Sequence, residues 1–184
     1  MKVYLVRHGA TYWNQRGLIQ GNVDVGLTGE GEEQSRQAAD KFPAERVFDL
    51  AVSPLRRARQ TAEVLKQRLK IDQNWVLDGL REFDQGYWNG LPNDEVAEHI
   101  DPATYQSWQK DPLNSSPPAG ETMLEVEERV NEAVDFLKEN SSHPLILVAH
   151  KVVNSIVASL GGEWPLKDVL DSLPANAAVF EVRL

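Results

Sequence analysis

At 184 residues the chain is long enough to bury one sizeable core and short for two ordinary domains. A net charge of −9 and a pI near 4.9 rule out a global basic field, so neither nucleic acid nor a membrane surface is an expected partner. Cysteine is absent, which excludes disulfides, thiolate metal sites and thiol nucleophiles.

Lys2 to Val6 is a short apolar run that reads as a buried strand, stopping at the polar turn Arg7-His8-Gly9. A Gly- and Asn-rich loop is expected from Gly9 to Leu27. Thr28 then caps a polar helix reaching about Lys41, with Glu30 and Glu32 in its acidic first turn. Phe48 to Val52 is a second strand, ended by Ser53-Pro54, and Leu55 to Lys70 a helix with Ala58, Ala62, Leu65 and Leu69 at helical spacing. Val76-Leu77 reads as a short strand ahead of the Gly- and aromatic-rich segment Leu80–Pro92. Asp94–Ile100 and Pro102–Lys110 read as short helices, and Pro112 to Gly120 as a loop. Glu121 to Glu139 is a long amphipathic helix with Val126, Val130, Val134 and Leu137 on one side. Leu145 to Ala149 is the strongest strand and stops at His150. A helix from about Lys151 to Leu160 and a closing strand from Ala177 to Leu184 complete the pattern.

Strands alternate with helices, and two strands lack a polar face. The expectation is one α/β domain over residues 1–184, a mostly parallel central sheet with helices on both faces. No apolar stretch approaches membrane-spanning length, and the apolar run after Met1-Lys2 is too short for a signal h-region, so a cytoplasmic setting is expected.

Ligands of open α/β sheets lie beyond the carboxyl ends of the strands. Here two strong strands end in histidine, His8 and His150, and a third stops just before Leu55-Arg56-Arg57-Ala58. Either histidine alone would most often be a satisfied polar residue, and Arg56, Arg57 and Arg59 alone a solvated helix face. Together they place two imidazoles and several guanidiniums at one sheet edge, where Gly9 would let a ligand approach the backbone.

These residues resemble the histidine phosphatase superfamily, also called phosphoglycerate mutase-like. The opening Arg7-His8-Gly9-Ala10-Thr11-Tyr12-Trp13-Asn14 is similar to its signature, continued by Gln20-Gly21, Asp24, Leu27-Thr28 and Gly31. Ser53-Pro54-Leu55-Arg56-Arg57-Ala58-Arg59-Gln60-Thr61-Ala62 resembles the second block. Leu80-Arg81-Glu82 with Gly86, Trp88 and Gly90 resembles the block supplying the acid. Gly120-Glu121-Thr122 with Arg129-Val130 and the final Val148-Ala149-His150 complete five separated motifs in order.

The resemblance implies a phosphoglycerate mutase-like fold and a phosphomonoesterase. His8 would be the nucleophile, Glu82 the proton donor, and Arg7, Arg57 and His150 the phosphate cradle. Asn14, Gln20 and Gly21 would be substrate-binding. Phosphoryl transfer rests mostly on positioning and charge stabilisation, which forked guanidiniums supply, so no metal and no cofactor are expected. His8 should be neutral, its second nitrogen donating to a backbone carbonyl. Glu82 should have its pKa raised by enclosure beside Tyr87 and Trp88.

The family usually has glycine where Lys151 stands; we expect Lys151 to face solvent as the first residue of a helix. His99 and His143 read as structural. A mutase needs extra cations around its site, yet Phe83 to Gln109 contains no Lys or Arg and five acidic residues, and the chain is shorter than the mutases it resembles. This favours a phosphatase acting on a small phosphorylated metabolite over the mutase and over a non-catalytic phospholigand- or partner-binding module. A homodimer is the working expectation for assembly.

Overall fold

The computed structural model describes residues 1–43, 45–162 and 175–184. Five strands form one sheet: β1 (Lys2–Arg7), β2 (Val47–Val52), β3 (Lys70–Val76), β4 (Leu145–Ala149) and β5 (Val179–Arg183). Their order is β3-β2-β4-β1-β5, with the first four parallel and β5 antiparallel to β1. The mostly parallel sheet expected from the sequence is present, and its one reversal is at an edge.

Side chains alternate across a strand, and the core divides accordingly. Val3 and Leu5 of β1, Ala51 of β2 and Leu145, Leu147 and Ala149 of β4 pack against α6 (Met123–Asn140) and α7 (Lys151–Leu160). Val6, Leu50, Val52, Ile146 and Val148 point the other way, toward α2 (Gly29–Ala39) and α3 (Arg56–Lys66). A third, smaller cluster of Ile19, Trp88, Val96 and Tyr105 builds the cap beyond the strand ends. It involves the short α4 (Asn93–Glu95), a following wide turn Val96–Ile100 and α5 (Pro102–Lys110).

Several boundaries differ from the sequence expectation. The helix expected over 55–70 stops at Lys66, and the short strand expected at Val76-Leu77 is the end of the longer β3. Only Ile71 and Trp75 of β3 are even partly buried. As an edge strand with the polar run Asp72-Gln73-Asn74, it lacks the apolar alternation that marks a strand. The loop expected from Gly9 to Leu27 contains α1 (Tyr12–Gln15), whose cap Thr11 and third residue Asn14 bond each other's backbone N–H reciprocally. Thr122 caps α6 in the same way with Glu125, so that helix begins at Met123 rather than Glu121. Among the described residues no helix is long and apolar enough to cross a membrane.

Candidate active site

The ladders run one residue past the strands. His8 N–H donates to the Ala149 carbonyl at 3.1 Å, and Ser53 N–H to that of Val148 at 3.0 Å. Because β4 lies between β1 and β2, the side chains that follow all three strands meet at one point. The His8 and His150 rings are 5.2 Å apart between centroids, and the two residues are 3 % and 0 % exposed.

His8 Nδ1 lies 2.8 Å from the carbonyl oxygen of Gly9, which can only accept, so Nδ1 carries the proton. Nε2 is left with its lone pair, and Arg57 Nε–H donates to it at 3.3 Å. Burial first, and then the positive charge of Arg57, hold the His8 pKa well below the ordinary histidine value, with Arg7 adding to the effect. The ring is therefore a neutral base at neutral pH, as the sequence reading required. Gly9 has a different reason from the one expected: a Cβ there would lie 2.2 Å from the Gly31 carbonyl and 2.9 Å from Ser35 Oγ. Its smallness serves the docking of α2 and not ligand approach.

Of the three arginines opening α3, only Arg57 is buried; Arg56 and Arg59 are exposed. Three of the five Arg57 N–H groups are committed, to His8, to the Val23 carbonyl and to the Gly21 carbonyl, the last two at 2.8 Å. Burial pulls its pKa to about 10, with Glu82 and Asp24 opposing, so it stays cationic at neutral pH. Arg7 is half-buried and is shifted the same way by burial, again opposed by Glu82.

His150 Nε2 is held by Ser53 Oγ at 2.7 Å, while Nδ1 is buried with no protein partner among the described residues. Nδ1 is thus the nitrogen His150 can present to a ligand. Burial, followed by Arg57, holds its pKa well below the ordinary value.

Asn14 Oδ1 accepts from Thr11 N–H, Thr11 Oγ1 and Asn176 Nδ2, which leaves the amide Nδ2 as the donor it can offer outward. Gln20 Oε1 lies 3.1 Å from Thr11 Oγ1 and competes with Asn14 Oδ1 for its single proton. Gly21 acts through its carbonyl on Arg57; its φ of +44° and a Cβ position 2.0 Å from Asn89 Oδ1 require glycine.

Glu82 lies in the field of both Arg7 and Arg57. Its Oε1 accepts from its own neighbour Phe83 N–H at 3.0 Å and its Oε2 from Val152 N–H, in the first turn of α7, at 3.4 Å. The enclosure expected from Tyr87 and Trp88 is not there. Tyr87 is 76 % exposed, and Trp88, 1 % exposed, belongs to the cap cluster and donates its indole N–H to Asp101. Lys151 is exposed, in line with the expectation for it.

Sequence reasoning missed Ser53, Thr61 and Asn176. Thr61 Oγ1 accepts from Gly9 N–H, and Asn176 Nδ2 donates to the His8 carbonyl, so both fix the turn carrying His8. Ser53 had a signal, since it follows a strand just as the histidines do. Asn176 had none, because only the sheet brings β5 beside β1.

The arrangement gathers a neutral imidazole, two guanidiniums, a second imidazole with an available nitrogen and a carboxylate in one region. Its two guanidiniums and the available His150 Nδ1 suit it to an anion.

The profile of the histidine phosphatase superfamily, branch 1, matches residues 3–184. A curated relative from Cronobacter sakazakii, "Probable phosphoglycerate mutase GpmB", is 33% identical over 169 residues, covering 88% of this chain and 75% of its own. Among solved structures, an Escherichia coli K-12 protein given provisionally as an α-ribazole-5′-phosphate phosphatase superposes with a TM-score of 0.83 at 26% identity, over 98% of this chain and 89% of that one. A mycobacterial glucosyl-3-phosphoglycerate phosphatase complexed with VO3 gives 0.79 at 25% identity, over 98% and 91%.

Proposed function

The chain belongs to branch 1 of the histidine phosphatase superfamily, and from there we propose that it hydrolyses a small-metabolite phosphomonoester through a phosphohistidine on His8. The observation that carries this reading is the His8 tautomer: Nδ1–H is tied to the Gly9 carbonyl, which leaves the Nε2 lone pair beside Arg57. Nε2 attacks phosphorus while the bond to the leaving oxygen breaks, and the protonated Glu82 carboxyl gives that oxygen its proton. The Glu82 carboxylate then takes a proton from water, whose oxygen attacks the phosphohistidine, and inorganic phosphate leaves with His8 neutral again. Arg7, Arg57, the His150 Nδ1 side and Asn14 Nδ2 hold the equatorial oxygens, with Gln20 and Gly21 shaping the entrance. Guanidiniums fill the role a metal ion plays elsewhere, so the reaction as read calls for no cofactor.

The acidic, cation-free stretch from Phe83 to Gln109 supports a substrate whose organic part is neutral or positively charged, such as phosphoserine or a ribazole-type nucleotide, above phosphoglycerate. A mutase is the second reading, favoured by the name of the sequence relatives. The test is phosphate release from a panel of metabolite monophosphates in EDTA, with His8→Ala as control. Release that His8→Ala reduces by more than about a thousandfold is expected. Panel-wide silence, or isomerisation of phosphoglycerate without release, would replace the phosphatase with a binding module or a mutase respectively.

A further inference from the structure

We propose that Arg129, locked to Glu121, is a positioning residue that sets the direction of the Glu82 carboxyl; the proposal rests on the reading of Glu82 as proton donor. Glu82 has little of its own to aim it, a bond to the adjacent Phe83 N–H and a long one to Val152 N–H. Its backbone, by contrast, is pinned on both sides, by Arg129 of α6 and by Glu121 just ahead of that helix.

All five Arg129 N–H groups are in use. Nε and Nη2 form a forked pair with Glu121 at 2.8 and 2.9 Å. Nη1 donates to the carbonyls of Gly79 at 2.8 Å and Arg81 at 2.6 Å, and Nη2 to that of Glu82 itself at 3.2 Å. Glu121 completes the grip: Oε2 accepts from Asp84 N–H at 2.8 Å, and its own N–H donates to the Asp84 carbonyl at 3.0 Å. One mostly buried ion pair therefore fixes the main chain from residue 79 to residue 84.

Glycine at 79 permits this approach, because a Cβ there would lie 2.4 Å from the Arg129 carbonyl. Arg129 also lines a cleft of about 530 Å³ with Asn22, Leu77, Asp78 and Phe136. With every N–H spent, it has no donor left for a substrate in that cleft, and its effect has to pass through Glu82.

The test is first-turnover release of alcohol or phenol from a series of monophosphates, ranging from aryl esters with acidic leaving groups to alkyl esters. It compares wild type with Arg129→Met, Glu121→Gln and Glu82→Gln, alongside competitive inhibition by inorganic phosphate. A proton donor that has lost its aim costs most where the leaving group most needs the proton. The rate for alkyl esters should fall about a hundredfold in Arg129→Met, while aryl esters change by less than about threefold, and KM and phosphate inhibition stay put. Equal losses across the series with weaker phosphate inhibition would overturn the proposal in favour of a merely structural pair. A rise in KM alone would overturn it in favour of substrate contact. If Arg129→Met does not fold, Glu121→Gln is read against the same two patterns. Wild type that shows no leaving-group release, or Glu82→Gln that slows all esters alike, would remove Glu82 from the donor role, and those arms identify that failure separately.

Discussion

At the scale of the residue, function depends on which nitrogen of each imidazole its anchor leaves to the site. His8 presents Nε2 because Gly9 holds Nδ1, and His150 presents Nδ1 because Ser53 holds Nε2. Removing the second anchor has a definite cost. Ser53→Ala should lower kcat/KM about tenfold, the worth of one buried hydrogen bond, with His150 still in place by NMR. Glu82→Gln should slow alkyl ester turnover far more than it weakens phosphate inhibition, and a steady-state comparison of the two would show it. Arg57→Lys should do the reverse. An ammonium cannot span His8, Val23 and Gly21 together, so phosphate inhibition should weaken by about tenfold or more in inhibition assays. The legible residues were those at strand ends, because an apolar run stopping at a polar residue is a local signal. Arg129 showed as part of a motif but not in its role, and Asn176 not at all, because both act through main-chain carbonyls far away in sequence.

Elements explain one glycine and one misjudged strand. Gly9 looked like a ligand's clearance and is the clearance of α2, whose Gly31 carbonyl and Ser35 hydroxyl crowd its Cβ position. Gly9→Ala should therefore destabilise the fold by about 1–3 kcal/mol in urea unfolding as well as impair turnover, since α2 or the His8 turn must move. Most of the buried face of α6, Val126, Val130, Val134 and Leu137, was legible because a strong helical period survives without tertiary help, and Met123 and Ala133 complete it. β3 was not, because the sequence of an edge strand records the solvent it faces more than the neighbour it bonds.

For the whole molecule, the buried site couples stability to pH. His8 and His150 are neutral in the fold and carry pKa values well below the ordinary 6.5, so below that pH the unfolded chain binds more protons than the folded one. Stability is fully present above about pH 6.5 and is lost as pH falls, by up to about 1.4 kcal/mol per pH unit for each histidine. Urea unfolding between pH 7.5 and 5 should show this slope, and His150→Gln should flatten it. The layered α/β architecture itself was legible from alternation alone, because the burial of two opposed sheet faces is written into Leu145–Ala149.

The position of β1 bears on how the molecule comes into being. Its partners are β4, from Val3 against Leu145 to Arg7 against Ala149, and β5, whose Val182 lies beside Val3. Ribosomes make β1 before either of its neighbours. The local unit β2–α3–β3 can form on a growing chain, while the strand that leads into His8 waits for almost all the rest. Contacts so distant in sequence make folding slow. A nascent chain halted before β4 should keep β1 open to protease, since neither of its neighbours has then been made. His8, which follows that strand, is translated before either of the two neighbours that set it in place.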